Sequence, residues 1–296
     1  MMVGLELQEA RAVAVSVNGA GEVAARAVVE SAADLAAAAQ SALEAVMSGA
    51  PDSGLGVASG LPESFAIAPV LERLAKRYPG PYTQSGATPS GTAAAVGEAW
   101  IGAGRAVQDL VYFAVADHTT GGIIRSGIPV VGSRGRATSV AWLALNPVER
   151  EDYRKMGCLE AEVAAAGIVR RLIWRIKSGD RSRVQETVDG DLSRITVEHV
   201  LTAARDRDGV SISVVRDTAK YLGMAAANLV VVADPEMLVL GGIMASAGDL
   251  LLEPLRLEIA RRLPRAMMDA LTIVPAALGD DAPAVGAARL AAAALQ

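Results

Sequence analysis

The sequence predicts an α/β protein with two lobes around a cleft, and three observations lead to this prediction. Apolar stretches begin the chain, and Asn18-Gly19 between two of them is a strong β-hairpin signal. Segments with strand character then alternate with helical segments that are long enough for parallel crossovers. A large helical region follows, and after it a short strand closes on a second glycine pair, Gly241-Gly242.

Composition excludes several classes of protein. The 296 residues carry 28 Lys+Arg against 33 Asp+Glu, and this acidic balance disfavours a nucleic-acid-binding surface. Hydrophobic residues make up 52% of the chain and aromatic residues 3%, so disorder is excluded and the core is aliphatic. The single cysteine, Cys158, excludes an internal disulfide framework. The sequence has no long apolar stretch and no signal-peptide features, so we expect a cytoplasmic protein without a membrane partner.

The elements of the first half follow from local patterns. Ser31 is a candidate N-cap for an alanine-rich helix, and the alternating or continuous apolar stretches indicate strands. We predict strands over 3–7, 12–17, 23–29, 55–58, 81–84 and 109–116, and helices over 32–47, 67–78 and 91–103.

The second half is mainly helical. Asp234-Pro235 ends a long helix, because the residue before proline avoids helical dihedrals. We predict helices over 159–178, 197–207, 210–232, 249–262 and 284–295, a polar loop over 179–195, and strands over 237–240 and 271–274.

Several segments resemble the ROK family of bacterial sugar kinases and sugar-responsive repressors, which has the actin-like (ribonuclease H-like) ATPase fold. Similar segments are Asn228 to Gly242, Ala247 to Pro254, Leu278 to Ala288, and Gly157-Cys158-Leu159-Glu160. The resemblance implies an N-terminal lobe of residues 1–106, completed by the last helix (284–296), and a C-terminal lobe of residues 107–283.

The first phosphate loop of this family reads Asp-x-Gly-Gly-Thr-Lys, where glycines let backbone N–H groups approach phosphate. The corresponding segment here runs from Glu6 through Gln8 and Glu9 to Arg11. Glu6 keeps a carboxylate that could hold a magnesium-bound water, and Arg11 partly offsets the negative charge of Glu9. The remnant nucleotide site is expected to comprise Glu6, Arg11, Gly241 and Gly242.

The second phosphate loop and the catalytic base also differ from the family pattern. Asp117 and His118 lie where the family has a Gly-Thr-Gly loop. Ser90 lies at the position of the aspartate that accepts the sugar hydroxyl's proton, and Thr92 at that of the following asparagine. A second register places Gly86 and Ala87 at the catalytic motif, and neither register supplies an aspartate.

The family's sugar-and-zinc motif is replaced as well. Ser139 lies at the position of a sugar-binding glutamate, and Trp142 at that of a histidine that binds sugar and zinc. With Cys158 alone left from a cysteine cluster, we expect no zinc site. Glu160 matches the family's sugar-contacting glutamate directly.

Each candidate residue has two interpretations. Glu160 contacts a sugar, or it is a carboxylate stabilised at a helix N-terminus. Asp117 and His118 form an acid–imidazole pair for acid/base chemistry, or they are a polar turn. Trp142 stacks on a ligand or fills the old pocket. The hydroxyls of the predicted site suit a neutral ligand, whereas an arginine-rich segment from Arg170 to Arg183 is interpreted as a solvated face.

Three functions follow from this resemblance. The first is a pseudokinase that binds a small neutral sugar-like ligand or a partner protein. The second is a repurposed enzyme acting on a sugar- or cyclitol-like substrate with Asp117, His118, Glu160 or Ser90. The third is an ATP-dependent sugar kinase. We expect no cofactor except ATP and magnesium under the third hypothesis. The resemblance implies a homodimer, and because the sequence begins directly at the first strand, no nucleic-acid partner is expected.

Overall fold

The computed structural model describes residues 1–31, 34–47, 55–61, 65–78 and 87–294. The chain divides into two compact units. Residues 1–112, 121–138 and 276–296 form the first unit, and residues 113–120 and 139–275 form the second.

Two five-stranded sheets account for the strands of the described residues. The strands are β1 (Met2–Leu7), β2 (Arg11–Val17), β3 (Val23–Glu30), β4 (Leu55–Ser59), β5 (Thr88–Pro89), β6 (Leu110–Val115), β7 (Thr119–Arg125), β8 (Ile128–Pro129), β9 (Met237–Gly242) and β10 (Thr272–Pro275). The first sheet has the order β3-β2-β1-β4-β5, and the second has the order β10-β9-β6-β7-β8. The strand predicted over 81–84 lies outside the described residues.

Both sheets are mixed. In the first, β1 pairs with β2 and β2 with β3 in antiparallel fashion, whereas β4 is parallel to β1 and to β5. In the second, β9 and β10 are parallel, and β7 and β8 are antiparallel. The predicted α/β class with a hairpin start is therefore confirmed.

Helices cover most of the remaining described chain, and the described helices span no stretch that is both long and apolar enough to cross a membrane. The helices are α1 (Leu35–Val46), α2 (Ala68–Arg77), α3 (Ser90–Ile101), α4 (Glu151–Met156), α5 (Cys158–Val163), α6 (Ala165–Lys177), α7 (Val184–Thr187), α8 (Val197–Arg205), α9 (Gly209–Ala233), α10 (Ile243–Ser246), α11 (Gly248–Ala260), α12 (Arg265–Ala270) and α13 (Ala282–Ala293).

Alternation along the first strands gives the first sheet two apolar faces. Leu5 and Leu7 pack with α1 and α2 in one buried cluster. Val13 and Val15 point to the opposite face and pack with Val285 and its neighbours on α13. Helices therefore cover both faces, as expected for a sheet with parallel crossovers.

Two predictions about helix boundaries were wrong. The N-cap of α1 is Asp34 rather than Ser31, and its carboxylate accepts a hydrogen bond from the Ala37 N–H at 3.0 Å. The helix predicted over 159–178 is divided between α5 and α6 at Ala164, whose backbone is extended. It divides there because the Ala165 N–H donates to the Ala116 carbonyl at 3.1 Å instead of continuing the helix.

Residues 121–138 belong to the first unit. They include most of β7, a strand that sequence patterns missed because Gly121-Gly122 interrupts its apolar run. Gly91 on α3 meets the Gly121 backbone so closely that a Cβ there would overlap it. This contact holds the segment against the first unit.

Backbone contacts without side chains are also what bring α3 and α13 together. A Cβ at Gly286 of α13 would overlap the Ala93 carbonyl, and one at Gly97 of α3 would lie 2.5 Å from the Ala282 carbonyl oxygen. A Cβ at Gly4 of β1 would likewise overlap Ala284. Two helices and a strand therefore pack at backbone distance in the first unit.

We expect Gly286→Ala to destabilise the protein by about 2–3 kcal/mol, because the methyl group forces apart elements that cannot relax. Urea unfolding would measure the loss. Gly19→Ala is the control in the same unit, since a Cβ there meets nothing within 4 Å. Equal stability of the two variants would contradict backbone-distance packing.

Candidate functional site

The carboxylate of Glu6 lies at the centre of a polar network in the first unit. It is 3% exposed and sits on β1. The Ser90 hydroxyl donates to its Oε1 at 2.6 Å, and the Gln8 amide donates to its Oε2 at 2.9 Å. Two of the predicted site residues, Glu6 and Ser90, are thus hydrogen-bonded to each other.

The network continues outward through the arginine that follows the β1–β2 turn. Arg11 Nε donates to Gln8 Oε1 at 2.8 Å, and its Nη2 lies 3.1 Å from Asp280 Oδ2. Gln8 therefore bridges Glu6 and Arg11. Each of these contacts joins two groups of the chain itself, so the polar groups of the network are hydrogen-bonded without a ligand.

Burial changes the acidity of Glu6. Desolvation raises its pKa to about 7, although the hydrogen bonds from Ser90 and Gln8 and the charge of Arg11 oppose the rise. Near neutral pH a large fraction of this carboxyl is therefore protonated. A neutral carboxyl is a poor ligand for Mg²⁺, which prefers anionic oxygen.

A second cluster lies in the second unit and is centred on Glu160 of α5. His118 Nδ1 lies 3.1 Å from Glu160 Oε1. The Thr119 N–H donates to Oε2 at 2.9 Å, and the Thr119 hydroxyl donates to the same atom at 3.1 Å. The side chain of His118 is 31% exposed and that of Glu160 is 13% exposed. The cluster is an imidazole oriented by a carboxylate, an arrangement that can exchange a proton.

The remaining predicted site residues lie in several local settings. Asp117 is exposed in the turn between β6 and β7, next to His118. Ser139 is exposed, and its carbonyl accepts from the Trp142 N–H at 3.1 Å. The Trp142 side chain is 53% exposed, so it does not fill a buried pocket. Thr92 is buried in α3.

Gly241 and Gly242 end β9. Gly242 has φ of +59°, and a Cβ there would overlap the Val115 carbonyl of the neighbouring strand. Close approach of the two strands accounts for this glycine.

The residues that the family resemblance links to zinc do not fit a zinc ion. Cys158 is buried, and its sulfur accepts the Leu145 N–H at 3.5 Å. Across the described ranges, no group of three or more His, Cys, Asp or Glu side chains could hold a metal ion. A zinc site needs four such ligands, or three and a water.

Sequence reasoning missed several partners in these clusters. Asp280 follows β10 and is far from Arg11 in the chain, so nothing local pointed to their contact. Thr119 was not among the predicted site residues, although it follows His118 directly. Arg171 was interpreted as part of a solvated face, yet it pairs with Glu162, which is 3% exposed.

Comparison with protein families and curated proteins gives matches over most of the chain. The ROK family model matches residues 69–294. A glucokinase of Halalkalibacterium halodurans is 33% identical over 196 residues, which cover 65% of this chain and 59% of the relative. A xylose repressor of Caldicellulosiruptor bescii is 32% identical over 202 residues, covering 66% of this chain and 48% of the repressor. The matched regions thus span less than two thirds of these relatives.

Solved structures share the fold over nearly the whole length. A ROK family glucokinase from Streptomyces griseus, in complex with glucose and AMPPNP, superposes with a TM-score of 0.80 at 22% identity and covers 98% of both chains. A ROK hexokinase from Thermus thermophilus has a TM-score of 0.73 at 23% identity and covers 100% of this chain and 99% of its own.

We expect the raised pKa of Glu6 to make stability depend on pH. Because the folded state binds this proton more tightly than the unfolded state, its stabilising effect is complete below pH 4.5 and is lost as pH rises through about 7. Unfolding free energies from urea titrations at pH 5 and pH 8 should differ by about 2–3 kcal/mol more in the wild type than in Glu6→Gln. Equal pH dependence in both proteins would show that Glu6 titrates normally.

Proposed function

Because the chain belongs to the ROK family, we propose that it is a sugar-kinase-like protein that transfers no phosphate from ATP and serves as a ligand-binding or interaction module. The observation that carries the proposal is the closed network around Glu6. The groups that replace the family's magnesium carboxylate, catalytic base and phosphate-binding lysine are Glu6, Ser90 and Arg11, and they are linked directly or through Gln8.

Electrostatics support the same proposal. Phosphate binding needs uncompensated positive charge or unpaired N–H groups. Arg11 is paired with Asp280, and Glu9 adds a second negative charge in this loop. Bringing a nucleotide triphosphate here would require breaking these bonds and placing phosphate beside carboxylates. The side chain of Ser90 is a hydroxyl, and unlike the family's aspartate it is not a base that accepts a proton from a sugar hydroxyl.

We propose that the ligand is a small neutral sugar or cyclitol that contacts the Glu160 cluster. The relatives are named for glucose and xylose, and Glu160 matches the family's sugar-contacting glutamate. Its carboxylate is fixed by His118 and by both donors of Thr119, so its position is set before a ligand arrives. Such preorganisation lowers the entropic cost of binding.

The pair of His118 and Glu160 favours a second candidate function, a repurposed enzyme. A carboxylate 3.1 Å from Nδ1 fixes the ring and stabilises the imidazolium, as in hydrolytic sites that use histidine as a base. In this role His118 would remove or return a proton on a polyol substrate.

We also propose that two copies of the chain associate. Val231 and Val232 at the end of α9 are 58% and 82% exposed, which is unusual for adjacent large apolar residues. Sedimentation velocity of the purified protein should give a particle with twice the mass of one chain, and a particle with the mass of one chain would contradict the proposal.

We expect the protein to release no ADP when it is incubated with ATP, magnesium and each member of a hexose panel. We also expect calorimetry to detect no binding of magnesium-AMPPNP at millimolar concentration. The matched variant replaces Gln8, Glu9, Ala10 and Arg11 with Gly, Gly, Thr and Lys. It should bind magnesium-AMPPNP at least about tenfold more tightly than the wild type, an energy difference of about 1.4 kcal/mol. Sugar-dependent turnover by the wild type would overturn the proposal.

For the sugar ligand, a thermal-shift panel of neutral hexoses, amino sugars and cyclitols should identify at least one stabilising compound. A ligand at a hundred times its Kd stabilises by about 2.7 kcal/mol and moves the midpoint by several degrees. Glu160→Gln should weaken that compound about tenfold, whereas Glu149→Gln, an 81% exposed carboxylate of the same unit, should not. An equal response of both variants would remove Glu160 from the site.

The enzyme alternative has its own readout. If His118 is a base, the protein should turn over a compound found in the panel, and His118→Gln should abolish this turnover. In the wild type, the turnover rate plotted against pH should show one ionisation. Binding of that compound without any turnover supports the module.

A further inference from the structure

A cavity of about 770 Å³ lies within the second unit and involves none of the residues of the Glu160 cluster. Its volume is in the range of sites that hold small organic molecules. The cavity lies between α4, α5, α6 and α9, with contributions from the segment before α4 and from Arg262, which follows α11. Its lining combines basic side chains (Arg150, Arg170, Arg171, Lys220, Arg262), acidic side chains (Glu162, Asp217), aromatic rings (Tyr153, Trp174, Tyr221) and other groups (Leu145, Asn146, Val148, Met224).

Positive charge exceeds negative charge at one end of this cavity. Arg150, Arg170 and Arg171 share two carboxylates, those of Asp152 and Glu162. Arg150 lies 3.3 Å from Asp152 and 3.1 Å from Glu162. Arg170 also pairs with Asp152, and Arg171 lies 3.2 Å from Glu162. Three cations against two anions leave one positive charge without a counterion in this group.

Both carboxylate oxygens of Glu162 already accept hydrogen bonds from groups of the chain. Its side chain is 4% exposed, and one of its oxygens accepts from both Arg150 and the Tyr153 hydroxyl. Burial and this hydrogen bond to Glu162 raise the pKa of Tyr153 to about 12, so the phenol remains a donor. The other oxygen accepts from Arg171.

Arg171 is the most buried of the basic groups, with a side chain that is 18% exposed. Its two terminal nitrogens donate to Glu162 and Thr218, and within the described part of the chain its buried Nε has no hydrogen-bond partner. Burial lowers the pKa of Arg171, which reflects how poorly its charge is solvated. An anion in the cavity would be attracted more strongly than at an exposed arginine.

Arg262 and Lys220, the other cations of the lining, are each paired with a carboxylate. Arg262 pairs with Glu258, which also binds Arg261 at 2.6 Å. Lys220 lies 2.9 Å from Asp217, a pairing of one to one. The excess positive charge of the lining therefore lies with Arg150, Arg170 and Arg171.

Apolar surface makes up the rest of the lining. The Tyr153 ring lies under the Arg150 guanidinium at 5.2 Å, and the Tyr221 ring lies under Arg171 at 6.0 Å. Trp174 at the rim is 67% exposed, an unusual position for the largest apolar side chain. Flat rings and guanidinium planes bind aromatic molecules by stacking.

We infer that this cavity is a binding site for a small organic anion with an aromatic body, its acidic group directed at Arg150, Arg170 and Arg171 and its ring against Tyr153, Tyr221 and Trp174. The site is separate from the sugar site proposed above and does not depend on that proposal. Neither neutral sugars nor nucleotide triphosphates match its chemistry, because the lining offers apolar surface and one excess positive charge.

The test uses two fluorescent probes with one skeleton, 1-anilinonaphthalene-8-sulfonate and its uncharged analogue N-phenyl-1-naphthylamine. The folded wild-type chain should bind the sulfonate saturably, with one probe per chain and at least about tenfold more tightly than the analogue. Excitation of tryptophan should sensitise probe emission, and Trp174→Phe should reduce that signal.

Arginine variants test which side chains contact the sulfonate group of the probe. Arg170→Gln should weaken the sulfonate about fivefold to tenfold and leave the neutral analogue unchanged, because only the charged contact is lost. Arg171→Gln is avoided because it would leave the buried carboxylate of Glu162 with Arg150, which is 43% exposed, as its remaining cation partner in this group. Arg194→Gln is the matched control, since Arg194 is 61% exposed in the same unit and does not line the cavity. Circular dichroism confirms that each variant is folded.

Three results would overturn the inference. The first is equal affinity for the two probes, which would indicate unspecific apolar binding. The second is an equal effect of Arg170→Gln and Arg194→Gln, which would place the sulfonate elsewhere. The third is an absence of saturable binding, which includes the case of a second copy of the chain covering the cavity.

Discussion

Backbone-distance packing between α3, α13 and the first sheet is the constraint on which the first unit depends. Gly4, Gly97 and Gly286 leave no room for a Cβ, so α3 lies directly on α13 and α13 lies directly on β1. This packing brings the first residue of α3, Ser90, onto the carboxylate of Glu6. It also excludes water from that carboxylate, which is why its charge is costly and its pKa rises.

Fold and site residues carry different information in this chain. The fold is shared with ROK glucokinases and repressors, and the packing that holds it uses glycine, alanine and valine, which have no chemistry of their own. Chemistry depends on a few polar side chains, and here those around Glu6 are bonded to one another. A fold that supports several activities therefore does not by itself assign one of them.

Helix α5 illustrates how one short element can serve two polar clusters. Glu160 and Glu162 lie two residues apart and so point in different directions from the helix. The carboxylate of Glu160 contacts His118 and Thr119, whereas the carboxylate of Glu162 contacts Tyr153, Arg150 and Arg171. The break at Ala164 ends α5 just after these carboxylates.

Sequence alone determined the α/β class, the hairpin start, the family, and most strands and helices, because apolar periodicity and glycine or proline positions act locally. It also identified Glu6, Ser90, His118 and Glu160 as candidates. Only the tertiary structure decided that Ser90 donates to Glu6, that His118 pairs with Glu160 rather than standing with Asp117 alone, and that Arg171 is buried beside a cavity. These contacts join residues far apart in the chain, and their partners are set by how closely backbones pack, which no local pattern encodes.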